Sequence, residues 1–390
     1  MQGEHRPGTV SVAVMATAVM AVGTVPQFVF GTLGPFVVTE FDLSRAQFGG
    51  LTTVLFAVAA VLSPSMGQAT DRFSARLTYG TVFVVSAVAL AGIAVSPSYL
   101  ILITFSGLGG VGQALVNPLS NRLVADYVPV HRRGLILGIK QSGVQMSAVV
   151  AGLSLPVLAV LIGWRAAVGA VAVAAAAGWA ASGVRLPSGS PSHGAGHEAR
   201  PGGADRIVVL LGTYAFLMGC VTAAVSAYLP LYAHEVLGLS AGVAGVLVAA
   251  IGVVGITSRI IVGHLADRIG GFASLLNGMS VIGAVAVALI VLAQPLGSGL
   301  IWLAAFVFGW SVAWNAVAMI AVVMLRGTNR TGRASGYVLT GFFAGFIIAP
   351  VAFGAAVDAV GYTAPWIALG VLLVGISVAI WIWRWRTGRR

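Results

Sequence analysis

The 390-residue sequence contains few charged residues and almost no cysteine. Charged residues make up 8% of the chain, only ten of them are acidic, and soluble domains average about 25% charge. This scarcity excludes an ordinary soluble globular domain. The single cysteine, Cys220, excludes a disulfide within the chain. Because it falls in an apolar stretch, we interpret it as a small buried apolar residue.

Apolar residues dominate the composition. They make up 58% of the chain, and the mean hydropathy is +0.99. A helix needs about 20 apolar residues to cross a bilayer, and an isolated apolar segment satisfies its backbone there only as a helix. We therefore predict an all-α membrane protein with twelve transmembrane helices. The predicted spans are residues 10–38, 47–68, 77–96, 99–125, 134–160, 163–184, 207–233, 240–265, 272–293, 299–325, 334–357 and 362–384.

The net charge of +11 follows this topology. Of the 21 basic residues, 17 fall in segments predicted to be cytosolic, two outside (Arg45 and Arg165) and two within spans (Lys140 and Arg259). This distribution predicts that both termini are cytosolic, so the charge does not call for a nucleic-acid partner. The short polar start of the chain has no cleavage-site pattern, and we expect no removable signal peptide. The bias towards Arg, Ala, Gly and Val suggests a bacterial cytoplasmic (inner) membrane protein.

A sequence repeat divides the chain into two halves. Gly67, Asp71 and Arg72 return 196 residues later as Gly263, Asp267 and Arg268. At a spacing of 198 residues, six further positions recur: Asn117, Arg132, Gly134, Gly138, Gly143 and Gly163 return as Asn315, Arg330, Gly332, Gly336, Gly341 and Gly361. We predict a six-helix half over residues 1–184, a Gly/Pro/Ser-rich cytoplasmic linker over 185–206, and a second half over 207–390.

Twelve spans in two halves, with a Gly-x-x-x-Asp-Arg loop after spans two and eight, resemble the major facilitator superfamily. The first copy departs from the family pattern at Ser74 and Ala75. The resemblance implies a secondary transporter that works by alternating access, not an enzyme, with no cofactor and no metal. It also implies that the repeated loop residues act in gating: Gly67, Asp71, Arg72, Gly263, Asp267 and Arg268.

Two basic residues break the repeat. Lys140, the only lysine, lies in span five opposite Val338 in the repeat, and Arg259 lies in span eight opposite Ser63. A cation at the centre of a span costs about 2.5–3.5 kcal/mol on insertion scales and therefore needs a partner or water. All ten acidic residues fall in loops, in termini or near span ends. In the family's arrangement spans five and eight face each other, which predicts that an anion binds between the two cations.

Two alternatives stay open for these cations: Lys140 could extend to the cytosolic interface, and Arg259 could reach Asp267.

The resemblance places further polar residues on cavity-lining spans. Asn117 and Asn315 are repeat equivalents and could serve packing instead. The aromatic residues near span ten could contact an apolar part of a substrate or simply pack. The candidate substrate-binding residues are Lys140, Arg259, Gln27, Gln113, Asn117, Gln141, Gln145, Tyr214, Trp314 and Asn315.

We therefore expect a transporter of a small organic anion, with a carboxylate as the favoured class, acting as a symporter or antiporter. The expected partners are this substrate, the lipid bilayer, and either protons or a counter-anion. The alternative is a proton-coupled exporter of drugs or other small molecules. Such exporters usually carry a Gly-Pro motif in span five and embedded acidic residues, and this sequence has neither. An enzyme would need a nucleophile–base pair within the spans, and none is evident.

Overall fold

The computed structural model describes residues 8–182, 206–269, 272–326 and 331–387. Within these residues all regular structure is helical, which confirms the predicted all-α class. The first six helices are α1 (Thr9–Phe41), α2 (Arg45–Arg72), α3 (Ala75–Val95), α4 (Tyr99–Tyr127), α5 (Val130–Ile162) and α6 (Trp164–Ser182). The others are α7 (Arg206–Glu235), α8 (Ala241–Ile269), α9 (Phe272–Leu296), α10 (Leu300–Ser311), α11 (Trp314–Arg326), α12 (Thr331–Val360) and α13 (Thr363–Thr387). The predicted linker over residues 185–206 lies outside the described residues except for Arg206.

The helices match the predicted spans, with one correction. Eleven segments of the described chain are long and apolar enough to cross a membrane, and α6 adds a shorter apolar helix. The tenth span, predicted as one helix over residues 299–325, is instead divided between α10 and α11. The chain is thus a multi-pass membrane protein.

The division of span ten has a local cause. At Val312 and Ala313 the backbone tightens: the N–H of Ala313 donates to the carbonyl of Trp310 at 3.3 Å, and that of Ala316 donates to Ala313 at 3.0 Å. Three-residue bonds of this kind form a 3₁₀-like turn that interrupts the α-helical ladder. Both turn residues are buried, as lipid requires of irregular backbone. Because neither Gly nor Pro marks the break, hydropathy alone does not reveal it.

The helices form two compact units. Unit 1 comprises residues 1–33 and 54–198, and unit 2 comprises residues 34–53 and 199–390. In unit 1, α3 packs against α4 and α6, and α5 packs against α4 and α6. In unit 2, α7 packs against α12, and α9 packs against α10 and α13. The turn between α1 and α2 therefore belongs with unit 2, although the first half supplies it. The predicted halves and linker boundaries stay a prediction.

Two of the repeated glycine pairs have the same role in each unit. Gly163 and Gly361 follow α5 and α12 with φ values of 86° and 77°, a left-handed conformation that glycine adopts without strain at helix ends. Gly143 and Gly341 allow close helix packing. A Cβ on Gly143 would lie 2.4 Å from the carbonyl oxygen of Thr17, and one on Gly341 would lie 2.1 Å from that of Gly212. These pairs explain why the repeat conserves glycine between its two copies.

Candidate functional site

Lys140 lies inside unit 1, on α5. Its relative exposure is 1%, and its Nζ donates a hydrogen bond of 2.8 Å to the Oγ of Ser120 on α4. The enclosed amine bonds to Ser120 within the protein, which argues against the alternative that it extends to the cytosolic interface. Across the described residues, no carboxylate lies within ion-pair distance of this amine. The cation is thus held by a neutral hydroxyl.

The hydroxyl of Ser120 is already engaged when it meets Lys140. Its oxygen lies 2.5 Å from the carbonyl of Val116 and 3.4 Å from the sulfur of Met20. Because a serine has one proton, it donates to the carbonyl and accepts from the amine. Sequence reasoning missed Ser120, although it lies three residues after Asn117 and therefore on the same face of α4.

A second buried polar contact joins α5 to α1. The hydroxyls of Thr24 and Ser147 lie 3.0 Å apart, and that of Ser147 also lies 2.6 Å from the carbonyl of Ala21. Both residues are at most 2% exposed. Together with Gly143, they fix the face of α5 that holds Lys140. Sequence reasoning missed this pair as well, because serine and threonine in helices commonly bond only to their own turn.

The other predicted residues of unit 1 lie on the same three helices. Gln113 and Gln145 are buried at 8% and 6% exposure, and the Oε1 of Gln113 has no hydrogen-bond partner within the described structure. Gln27, Asn117 and Gln141 are half-buried. The structure thus keeps these amides in the interior or at its border, but it shows no direct bond from Lys140 to any of them.

In unit 2, Arg259 lies on α8 next to a buried serine. The side chain of Arg259 is half-buried. Its neighbour Ser258 is fully buried and bonds to the carbonyl of Gly309 on α10 at 3.0 Å. This bond, together with the close approach of Gly309 to Val254, fixes α8 against α10. The predicted alternative partner, Asp267, has a side chain outside the described structure.

Two of the predicted residues of unit 2 contact each other. The rings of Tyr214 on α7 and Trp314 on α11 meet edge to face with centroids 5.9 Å apart. Both are at most 6% exposed, and the hydroxyl of Tyr214 donates to the carbonyl of Leu276 at 3.0 Å. Phe342 on α12 extends the aromatic cluster, 6.0 Å from Trp314. Asn315 is half-buried beside it. The break after α10 places Trp314 at the start of α11.

The predicted gating residues are described in the first copy only. Asp71 and Arg72 are exposed at the end of α2, and Gly67 has open space beside its Cα. The end of α2 is instead held by Arg122 on α4, whose Nη1 donates to the carbonyls of Thr70 and, at 2.8 Å, Phe73. Arg122 also pairs with Asp126 at 3.3 Å, a contact that sequence reasoning missed. Gly263, Asp267 and Arg268 lie in α8 where the description covers the backbone alone, and their gating role stays a prediction.

The comparison with protein families decides the class. The family model of the Major Facilitator Superfamily matches residues 12–338, which include twelve of the thirteen described helices in full or in part. The chain belongs to the Major Facilitator Superfamily. Members of this superfamily are membrane transporters and not enzymes.

Individual relatives are distant. The hexuronate transporter of Bacillus subtilis is 24% identical over 131 residues, which cover 34% of this chain and 31% of that protein. The niacin transporter NiaP of Acinetobacter baylyi is 27% identical over 105 residues, 27% of this chain and 24% of that protein. The chain thus spans less than a third of the length of each of these relatives.

The fold has close counterparts among solved structures. A bacterial homologue of the human lysosomal transporter Spinster, in an inward-facing and occupied conformation, superposes with a TM-score of 0.80 at 17% identity. The match covers 98% of this chain and 97% of that one. At this identity the likeness shows the fold alone, and it does so over nearly the whole chain.

Proposed function

We propose that this superfamily transporter moves a small organic anion, most simply a carboxylate, by alternating access. Lys140 of unit 1 and Arg259 of unit 2 would bind its charge. A carboxylate suits both groups, because an ammonium attracts it as a point charge and a guanidinium can bind it through two parallel hydrogen bonds. The halves predicted over residues 1–184 and 207–390 would move about this site, with the repeated Asp-Arg loops as gates.

The single observation that carries the proposal is the environment of Lys140. The amine is buried, yet among the described residues it has a hydroxyl partner and no carboxylate. A buried cation normally has an anionic partner, since hydration is lost on burial. The bond to Ser120 uses one of the three N–H groups of an ammonium, so two remain for an anion. The repeat equivalent Val338 is also buried, so the scaffold itself does not require a cation here.

The names of the relatives agree with this proposal. A hexuronate is a sugar acid and niacin is an aromatic acid, and both relatives match this chain only in part. Each of these two compounds carries a carboxylate, which is the kind of group that a buried cation would bind. In the aromatic cluster of Tyr214, Trp314 and Phe342, we propose a surface for the apolar part of the substrate. We further propose an inner-membrane location with cytosolic termini, and coupling to protons or to a counter-anion.

Thermal unfolding of the purified protein against a panel of small anions tests the proposal. An anion at a hundred times its Kd should stabilise the protein by about 2.7 kcal/mol. We expect a carboxylate to raise the unfolding temperature of the unmodified protein and to lose this effect in Lys140→Met and Arg259→Gln. Lys140→Met retains most of the side-chain length while it removes the charge.

The matched control is Arg76→Gln, which removes one positive charge from an exposed residue. This variant should keep the response to the carboxylate. Equal stabilisation of all three variants would rule out a site at Lys140 and Arg259. If anions leave the unmodified protein unchanged while hydrophobic drugs stabilise it, the exporter alternative is favoured instead.

A further inference from the structure

The turn between α1 and α2 is bound to two helices of unit 2, α7 and α12, and to the residue Tyr362 that precedes α13. Residues 34–53 belong to unit 2, and polar side chains at the ends of α7 and α12 and before α13 reach the start of α2. We call this cluster the Arg45 latch and define it by Arg45, Tyr228, Glu235, Asp358 and Tyr362. It lies at the end of unit 2 where α1 turns into α2.

An ion pair forms the centre of the Arg45 latch. The guanidinium of Arg45 meets the carboxylate of Glu235 in a two-pronged contact, Nη2 to Oε1 and Nε to Oε2, both 3.0 Å. The hydroxyl of Tyr362 donates to the same Oε2 at 2.7 Å. The third guanidinium nitrogen donates to the carbonyl of Leu43 at 3.0 Å. The charges are thus oriented by several bonds on both sides.

The backbone of α2 is held at the same place. The carboxylate of Asp358 accepts the N–H groups of Arg45 and Ala46 at 2.8 and 2.9 Å, so a residue of α12 satisfies donors that the first turn of α2 leaves without helical partners. The hydroxyl of Tyr228 lies 2.7 Å from the carbonyl oxygens of both Arg45 and Pro350. It therefore lies between the two backbones and donates to either.

Two glycines permit this approach. A Cβ on Gly49 would lie 2.2 Å from the carbonyl oxygen of Pro350, and one on Gly354 would lie 2.2 Å from that of Arg45. Both distances are well below van der Waals contact, and the atoms met are backbone atoms that cannot rotate away. Any larger residue would separate α2 from α12. Contact at this point thus depends on glycine on both helices.

The turn that the latch holds is itself rigid. Ser44 and Gln47 form a capping box at the start of α2: the side chain of Gln47 accepts from the N–H of Ser44 at 2.9 Å, and the reverse bond measures 3.1 Å. Leu43 adds a backbone bond to Val38 at 3.1 Å. Because the turn is internally bonded, a displacement of Arg45 would move the end of α1 and the start of α2 together.

The sequence repeat shows that the latch is not part of the common scaffold. At the spacing of 198 residues, Asp358 corresponds to Val160 and Tyr362 to Trp164. Glu235 corresponds to Val37 at the spacing of 198 residues and to Thr39 at the spacing of 196. None of these counterparts carries a charge. The two units therefore do not share this network, although they share helix packing.

We propose that the Arg45 latch is a releasable contact that holds the α1–α2 turn against α7 and α12 and opens during the transport cycle. The side chains of Arg45 and Glu235 keep 28% and 21% exposure, so water can replace their mutual bonds at small cost. Partly exposed ion pairs contribute only about 1 kcal/mol. Such a contact can break and re-form, whereas a dry ion pair would stay closed.

Cysteine labelling at the α2–α12 contact tests the proposal without any substrate. Thr53 of α2 is half-buried and donates to the carbonyl of Ile347 on α12 at 2.7 Å, so a cysteine at this position is partly covered while the latch is closed. The background carries Cys220→Ser, which removes the native thiol, and Thr53→Cys is labelled with a water-soluble maleimide. We expect Glu235→Gln and Arg45→Gln each to speed labelling about fivefold.

Three controls make the result decisive. Asp42→Asn removes an acidic residue from the same turn, exposed and outside the latch, and should leave the rate unchanged. The exchanged pair, Arg45→Glu with Glu235→Arg, should restore slow labelling. In parallel, an exposed reporter, Ser65→Cys at the far end of α2, should react equally in all variants.

Unchanged labelling of Thr53→Cys in Glu235→Gln would overturn the proposal, and so would equal acceleration by Asp42→Asn. Faster labelling of both reporters would also overturn it, because that result means general loosening. The milder variant Tyr362→Phe, which removes one bond of the latch, covers the case in which a charge variant fails to fold. It should speed labelling about twofold. No outcome depends on the anion proposal, so the two can fail separately.

Discussion

Two basic residues of this transporter are held in opposite ways. Arg45, at the end of unit 2, has all of its guanidinium nitrogens bonded and faces a carboxylate, with 28% of its side chain exposed. Lys140, inside unit 1, is 1% exposed and has a serine hydroxyl as its partner. Arg45, which is partly exposed to water, has a carboxylate partner. Lys140, which is buried, has no carboxylate beside it among the described residues.

The difference supports the proposal that Lys140 binds an anionic ligand, whereas Arg45 already has its counter-ion within the protein. A partly exposed pair costs little to form or to break, so it suits a contact that must change during transport. A buried cation without a counter-ion lowers stability, and a protein retains such a residue when a ligand supplies the missing charge. Three variants would break or sharpen this comparison, described here from the largest expected effect to the smallest.

The largest effect should come from Gly354→Leu, which removes the space that the Arg45 latch requires. Its Cβ would collide with the carbonyl oxygen of Arg45 and lie 2.4 Å from the hydroxyl of Tyr228. Because backbone must move, we expect a loss of about 3 kcal/mol or more in the free energy of unfolding. Gly375→Leu on α13, where a Cβ meets open space, is the control. Similar thermal unfolding of the two variants in detergent would refute the close-approach argument.

Ser120→Ala should have an intermediate effect, since it removes the hydrogen-bond partner of Lys140. We expect the free energy of unfolding to fall by about 1–3 kcal/mol, because a buried charged group loses its bond. Lys140→Met in the same background should recover most of this loss, since the stranded charge is then gone. Unfolding of the single and double variants, measured as a double-mutant cycle, gives the coupling. Additive losses would show that Lys140 does not depend on Ser120.

The smallest effect should come from Tyr362→Phe, with a loss of about 1 kcal/mol at neutral pH. Burial raises the pKa of the Tyr362 hydroxyl, and the neighbouring Glu235 carboxylate raises it further. The folded protein therefore holds this proton more tightly than the unfolded chain does. Stability due to Tyr362 is complete below the unfolded pKa of roughly 10 and falls as the pH rises above it.

The phenylalanine variant should lack this part of the alkaline loss, so the two stability curves should converge above pH 10 or so. Unfolding of both proteins between neutral and alkaline pH measures the difference. Parallel curves would mean that Tyr362 is not bonded to Glu235 in the folded protein. Because the other tyrosines are present in both proteins, their ionisation cancels in the comparison.

Sequence reasoning succeeded where one physical requirement governs many residues. The apolar runs predicted the helices, because a helix is the form in which a single apolar segment satisfies its backbone in lipid. The repeat at 198 residues predicted equivalent positions, and Gly163 and Gly361 both follow a helix with a positive φ angle. Reasoning failed at the break after Ser311, since a 3₁₀-like turn without Gly or Pro leaves no compositional mark.

Contacts between distant residues were also missed. Arg45 was assigned to an outer loop, and nothing in the sequence joins it to Glu235, 190 residues away. The contacts of Ser120 and Arg122 were not predicted, because serine and arginine are common in such helices and each has many possible partners. The candidate substrate residues lie on α1, α4, α5, α7, α8 and α11, and their role in binding a substrate stays a prediction.

The sequence by itself determined the class of this protein, its helices and the isolation of Lys140 from acidic residues. These follow from the cost of exposing polar groups to hydrocarbon, which acts on each segment independently. Only the tertiary structure decided that Lys140 bonds to Ser120 and that the α1–α2 turn packs with unit 2. Those contacts depend on side-chain direction and on backbone approach at single glycines, and both are set by how helices far apart in sequence pack together.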